Sequence, residues 1–550
     1  MNDLWRLRNN TFIAIGRTVL RPYGLATAIL TTFGVVGLSN LTGTVLAQAE
    51  PVLQVGVVQR FGTQPTDKLT LEPLPGDRLT LRFQDGNKQT KTLTATSLKL
   101  EMAYQPVAAP VLEERIIFST HRSFESAEDD ANRWRAKGIE VEVAQPQRWQ
   151  VWAKRETYNT PLLRRLLLQS LESQGVQAQL EAKEIRQIPW VSWVVNGYRY
   201  NRNELDIKSA NNIIRVKQET AEEKVTRTYL GPLRVQPNAY GTYTLVNQVP
   251  IETYLRGVVP HEIGLAAPPA TIEAQAILAR TYALRNLRRF QIDQYQLCAD
   301  TQCQVYWGLQ GAQPKTDRAI AATKGLVLTY NNELVDALYS STTGGITAPF
   351  ADVWNGPNRP YLKAVVDSVS NVWDLSRYSL MDEKNLRVFL SRRKGFNEDG
   401  WDRFRWNSAS TLPDLTRDLQ KYLTSIKSPY AKLNAVQKIQ VVQRSPFGRV
   451  LKVAVTTDVG VVEIEKDNIL NALYPPTSTL FYLDPMYEPG TKILKGYRFV
   501  GGGMGHGVGL SQTGSYRLGE LGYTSRQILS FYYPGTQLQP INPTIVFWKP

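Results

Sequence analysis

The sequence predicts an α+β fold: a mostly β-sheet domain organised around one central helix, preceded by a small βαββα unit. Three observations carry this prediction. Short runs of alternating apolar and polar residues, divided by Gly, Asn and Pro turn signals, recur from residue 51 and dominate 184–250, as expected of half-buried strands. Residues 272–290 break that rhythm with Ile272, Ala276, Ala279, Ala283 and Leu287, a spacing that lines up one helical face. Between residues 115 and 174, strand and helix patterns alternate in the order βαββα.

Taken in order, residues 1–49 read as an export signal, with an uncleaved N-terminal membrane anchor as the rival. Arg6, Arg8, Arg17 and Arg21 precede the apolar run 25–38, and Ala47-Gln48-Ala49 supplies a small-x-small cleavage site. The apolar run is shorter than the ~20 residues a spanning helix needs and contains Gly34 and Gly37. Residues 50–110 form a small β segment with turns at Pro75-Gly76 and Asp85-Gly86. Residues 112–183 hold the α/β unit, with a strand at 116–118, a helix at 123–136, strands at 139–143 and 149–153, a helix at 160–174 and a further strand near 176–180. Residues 184–545 form the main domain. Its first strands, at 190–195, 213–216, 233–235 and 242–246, include a hairpin at Asn196-Gly197 and should build the sheet beneath the central helix. Further strands are expected at 326–330, 334–340, 439–443, 450–456 and 461–465, and residues 378–430 read as a partly helical insertion.

The full chain of 550 residues carries a formal charge of +15, and removing 1–49 takes away four Arg and Asp3 to leave +12. A basic exported chain associates with polyanions of a cell envelope, and export argues against a nucleic-acid partner. Two cysteines are too few for a disulfide scaffold. Twelve Trp and 26 Tyr support packed cores and provide rings able to stack on sugars.

Three histidines serve the whole chain, and one stands in Gly501-Gly502-Gly503-Met504-Gly505-His506-Gly507-Val508-Gly509-Leu510-Ser511-Gln512. Glycine on both sides presents this imidazole on a tightly turning backbone. Upstream lies Val258-Val259-Pro260-His261-Glu262, followed by the helix with Glu273, Ala274, Ala276, Ala279, Arg280, Thr281 and Tyr282. With Cys298 to Tyr306, Ser340-Ser341-Thr342-Thr343-Gly344-Gly345, Asp352-Val353-Trp354, Pro360-Tyr361-Leu362, Ser445 to Val450 and Ile528 to Thr536, these elements resemble, in order, those of the SpoIID/LytB family of exported cell-wall proteins.

That resemblance implies a peptidoglycan lytic transglycosylase whose substrate is the glycan strand, cleaved between N-acetylmuramic acid and N-acetylglucosamine. It carries the role of acid and base onto Glu262, set in a turn-like segment before the central helix, while position alone gives Glu273 a structural place at the helix start, facing the positive end of the macrodipole. Ser340, Ser341, Thr342, Gly344, His506, Ser511, Gln512 and Arg280 become candidate glycan contacts, although Arg280 is equally readable as a snorkelling surface cation. The alternative within the family is a non-catalytic glycan-binding enhancer of an N-acetylmuramoyl-L-alanine amidase, which makes a cell-wall amidase a candidate partner. Some members hold a structural zinc with cysteines near Cys298 and Cys303. Here Gln302 stands where a histidine often precedes the second cysteine, so a disulfide or two poised thiols is expected over zinc, and no cofactor is expected. Residues 112–183 faintly resemble SPOR-type glycan-binding domains, a generic α/β spacer being the competing reading.

Overall fold

The computed structural model describes residues 50–549 apart from residue 221, so the export-signal reading lies outside the described residues. The described residues form one compact unit of mixed α and β structure in which sheet predominates. Among the described residues no helix is long and apolar enough to cross a membrane.

Two large sheets share one core. The first has seven strands in the order Leu297–Cys298, Val52–Phe61, Tyr243–Pro250, Leu233–Pro237, Leu205–Ser209, Leu79–Gln84 and Thr90–Ala95. The second, of eight strands, runs Lys224–Leu230, Ile213–Glu219, Lys68–Pro73, Leu98–His121, Trp149–Ala153 and Val141–Ala144, with Gln179–Val195 and Tyr198–Arg202 joined through Leu98–His121. Leu53, Leu69, Leu81, Trp193, Ile214 and Leu233 from the two sheets are buried together. Residues 50–110 are therefore woven into the strands of 184–250 and do not stand as a separate segment. Sequence periodicity marks which face of a strand is buried, and it is blind to which distant strand lies alongside.

The expected strand at 116–118 is the far end of the 24-residue strand Leu98–His121, which pairs antiparallel with Gln179–Val195. A register shift between Pro106 and Val111 lets the strand pass the prolines that broke the sequence pattern. The expected strand at 334–340 is reduced to Glu333–Leu334 and Tyr339–Ser340. The Asn196-Gly197 hairpin forms with both residues at positive φ, 53° and 79°, as a primed two-residue turn requires.

In chain order the helices begin with α1, Phe124–Ala136, capped by Ser123, and α2, Pro161–Ser173, capped by Thr160. Helix α3, Ile251–Glu262, is followed by α4, Pro269–Arg285, which opens with Pro at its first position. Helix α5, Pro314–Ala322, packs with α3 against α4. Helices α6, Glu383–Ser391, α7, Leu412–Ser425, and α8, Ile469–Ala472, belong to the later part of the chain, and α9, Gln512–Glu520, and α10, Ser525–Tyr532, return to α4.

Helix α4 differs from expectation in its bounds and in its burial. Ile272, Ala276, Ala279 and Ala283 enter the core of the two sheets, while Ala274, Ile277, Leu278 and Tyr282 enter a second core with Leu510, Ile528 and Tyr533. The alanines Ala274, Ala276, Ala279 and Ala283 let neighbouring elements close in, and apolar residues on both faces are buried, so the helix is a central post. Residues 378–430 also reach further than an insertion loop. Leu415, Leu419 and Leu423 of α7 share a core with Ile439, Val453 and Phe499, strands of two separate three-stranded sheets that lie apart from the main pair.

Candidate functional site

The V-P-x-E element is the last turn of α3 and not a turn-like loop. Pro260 lies inside the helix, where it cannot donate to the turn before it, and the Gly257 carbonyl accepts from Trp307 N–H at 3.2 Å. A Cβ at Gly257 would collide with the Gly308 carbonyl and the Tyr306 ring, so only glycine lets the 304–308 segment lie this close. That segment in turn fixes Glu262, whose Oε1 accepts from Val305 N–H at 2.8 Å. Burial pushes the Glu262 carboxyl above its ordinary pKa, and hydrogen bonds from Val305, Gln512 and Tyr339 oppose the shift without cancelling it. Its place at a helix C-terminus, the negative end of the macrodipole, disfavours the ionised form further. Tyr339 is itself held by Gln304 Nε2, which donates to its hydroxyl at 2.9 Å.

Glu262 opens onto a cleft of about 660 Å³ whose lining also includes Tyr339, Ser340, Ser341, His506 and Gln512. The structure thus brings together the acid, the serine rim and the imidazole from segments some 80 and 240 residues downstream of it in the sequence. Strand Tyr339–Ser340 pairs in parallel with Leu510–Ser511, which places both segments beside the end of α3. Gln512 Nε2 donates to the Glu262 carbonyl at 2.9 Å, tying α9 to α3. Ser341 is exposed to the cleft, and the buried Ser340 hydroxyl has no partner among the described residues.

Four expected contacts take other places. Arg280 is fully buried in α4, where its guanidinium grips Glu252 through Nε–Oε1 at 2.9 Å and Nη2–Oε2 at 2.7 Å and donates to the Leu326 carbonyl. It is a structural cation, away from the cleft. Thr342 and Gly344 are buried behind the rim, and Ser511 is buried as the cap of α9, accepting from Gly514 N–H at 3.0 Å. His506 does line the cleft, but Nδ1 accepts from Val508 N–H at 3.0 Å and its other nitrogen faces the Tyr339 backbone. Nδ1 is thus taken up by the backbone, and the ring packs on Trp354 at 5.0 Å. Burial and the nearby Arg449 charge lower its pKa to about 4, so the ring is neutral.

Sequence reasoning passed over two residues that build this site. Glu398 is fully buried in the region read as an insertion, and its carboxylate accepts from Thr343 Oγ1 at 2.9 Å, from Gly345 N–H at 2.8 Å, from Thr343 N–H and from Ser511. Arg449, within the Ser445 to Val450 motif, donates to the carbonyls of Thr343 and Ile346 at 2.7 and 3.0 Å. A side chain at Gly507 would collide with this guanidinium, which accounts for the glycine after His506. The rim is thus clamped by one buried acid on its amides and one buried base on its carbonyls.

Cys298 and Cys303 are joined by a disulfide with Cα atoms 5.6 Å apart, and Cys303 borders the cleft. Both sulfurs are committed to each other, and His261, whose Nε2 lies 2.6 Å from the Gln310 carbonyl, is occupied elsewhere. This donor set does not fit a zinc ion.

An exposed serine hydroxyl and a half-buried carboxyl at the end of a helix, mounted on an α+β scaffold, define a cleft lined by hydrogen-bonding groups. Residues 239–330 match the family described as Stage II sporulation protein, and residues 348–509 match a domain of unknown function (DUF8618). The chain is 29% identical to the Amidase enhancer of Bacillus subtilis over 52% of its own length and 40% of that protein's. It is 27% identical to the Stage II sporulation protein D of Bacillus subtilis over 56% of its own length and 80% of that protein's, and 35% identical to that of Bacillus amyloliquefaciens over 24% and 40%. The SpoIID-type segment and these relatives together support placing the chain with the SpoIID/LytB family.

Proposed function

We propose that this protein is an exported peptidoglycan lytic transglycosylase that cleaves the bond between N-acetylmuramic acid and N-acetylglucosamine and leaves a 1,6-anhydro end. The observation that carries the reading is the Glu262 carboxyl, raised in pKa by burial yet open to the cleft. A carboxylic acid kept protonated near neutrality can donate to the glycosidic oxygen as the bond from muramic C1 breaks. The resulting carboxylate then takes the proton of the muramic 6-hydroxyl as that oxygen bonds to C1, which closes the anhydro ring and returns the acid to its starting state. No water is consumed, so one carboxyl serves both steps. Ser341, Ser340 and Gln512 are the sugar-contacting groups beside it, and α1 of the α/β unit, which contributes Ser123 and Glu125 to the same cleft, is consistent with a glycan-contacting role for residues 112–183.

A second reading draws on the relative named Amidase enhancer: the cleft binds glycan and assists a separate N-acetylmuramoyl-L-alanine amidase. Mass analysis of sugars released from purified peptidoglycan separates the two. Anhydro ends released by the parent and lost in Glu262→Gln, with glycan binding kept, support the enzyme. Binding without release, together with stimulation of an added amidase, supports the enhancer.

A further inference from the structure

We infer that residues 470–477 form a sugar-binding subsite of the cleft, with the Tyr474 ring as its stacking platform; this rests on the reading of the cleft as a glycan site. Tyr474 is 85% exposed and Met504 45% exposed, and both line the cleft beside Leu470. A tyrosine ring left in water forgoes the stabilisation that burial of its apolar surface would provide, and among the described residues nothing covers it.

The backbone that carries the ring is held in place. Leu473 before it is fully buried, and Pro475 and Pro476 after it fix φ. Thr477 and Ser478 then staple the segment to the glycine-rich loop: Thr477 Oγ1 donates to the Gly503 carbonyl at 2.9 Å, Ser478 Oγ to that of Gly502 at 2.6 Å, and Gly505 N–H to that of Thr477 at 3.0 Å. Little loop ordering therefore remains to oppose binding.

The lining also carries polar and charged groups, Arg122, Glu125, Glu262 and Gln512, among further apolar ones such as Phe124, Val353 and Trp354. Sugar rings are amphipathic, with C–H groups on their faces and hydroxyl and acetamido groups at their edges. An apolar aromatic on one part of the cleft and hydrogen-bonding groups on another match that division. Arg122 is fixed by Asn471 Oδ1 at 2.7 Å, so the polar group and the 470–477 segment are set relative to each other. This segment lies outside residues 239–330, within the region matched by the domain of unknown function. The subsite is thus supplied by the part of the chain that the SpoIID match does not reach.

The test uses the full mature chain carrying Glu262→Gln, titrated with peptide-free glycan strands from purified peptidoglycan. Adding Tyr474→Ala should weaken binding about tenfold, whereas Tyr474→Phe should bind like the parent, because the ring face is the contact. In the chain with Glu262 intact, Tyr474→Ala should raise KM and leave kcat unchanged. The exposed position predicts an unaltered Tm for both variants. Binding indifferent to Tyr474→Ala overturns the subsite alone, as does a Tyr474→Phe loss equal to that of alanine. No glycan binding by the Glu262→Gln parent overturns the glycan reading and the subsite with it.

Discussion

At Glu262 and His506 burial acts on groups of opposite charge type and drives both toward neutrality. For Glu262 the folded pKa is raised, so the protonated acid persists above the usual carboxylate range. Activity that needs this acid should fall as pH rises through the raised value, and the rate profile of glycan cleavage measures it. For His506 the folded value is lowered from 6.5 to about 4, so during acidification the unfolded chain takes up the proton first. Stability tied to His506 is complete above pH 6.5 and is lost as pH falls toward 4, on the order of 3 kcal/mol. Asp467, raised by burial to about 6, titrates in the opposite sense in the same window, so the parent alone does not isolate the histidine. His506→Gln can accept from Val508 and donate to Tyr339 without titrating. Its Tm should decline less steeply than the parent's between pH 6.5 and 4, and identical slopes would refute the assignment.

The Ser340–Gly345 segment depends on an element remote in sequence, since Glu398 satisfies the amides of Thr343 and Gly345 and the hydroxyls of Thr343 and Ser511 at once. Beside it Asp367 is fully buried, and burial and the Glu398 charge push its pKa well up, so this pair carries fewer charges than two carboxylates. Glu398→Gln turns one acceptor oxygen into a donor facing existing donors. We predict a loss of about 2–4 kcal/mol in unfolding free energy and a raised KM for glycan, read by denaturant titration and steady-state kinetics. Neither Glu398 nor Arg449 declared its role in the sequence, because a buried strut is defined by what folds around it. The pieces that could be read were local. Helices α1 and α2 begin within a residue of the expected 123 and 160, and Asn196-Gly197 turns its hairpin. Glu262, Ser341, His506 and Gln512 were legible through motifs, and the structure gathers them in one cleft. Arg280 was not, because its partner Glu252 lies 28 residues away on another helix and nothing local distinguishes a buried cation from a surface one. Strand pairing failed for the same reason: Val52–Phe61 lies beside Tyr243–Pro250, a neighbour that periodicity does not name.

Across the whole molecule, the α/β unit is docked as part of the cleft wall and not tethered beside it. Phe124 and Trp149 of that unit share a core with Phe290, Tyr295 and Cys298 from the chain that follows α4. Two ion pairs flank this seam, Arg288 with Glu128 and Arg289 with Glu125. Arg289 is buried, also donating to the Asn286 side chain at 2.9 Å and the Gln302 carbonyl at 3.0 Å, and the second of these bonds reaches the disulfide loop. Glu125→Ala would leave that guanidinium charged and short of its anion, a situation that costs about 3–5 kcal/mol for a buried pair. The expected result is a marked fall in Tm with weaker glycan binding, since α1 carries Ser123 and Glu125 into the cleft. Adding Arg289→Met removes the stranded charge while keeping an apolar stem. The double variant should therefore recover most of the lost stability in a thermal melt but not the glycan affinity, because the seam would be repacked while the cleft still lacked its carboxylate. Recovery of both would mean that Glu125 acts on the cleft through stability alone.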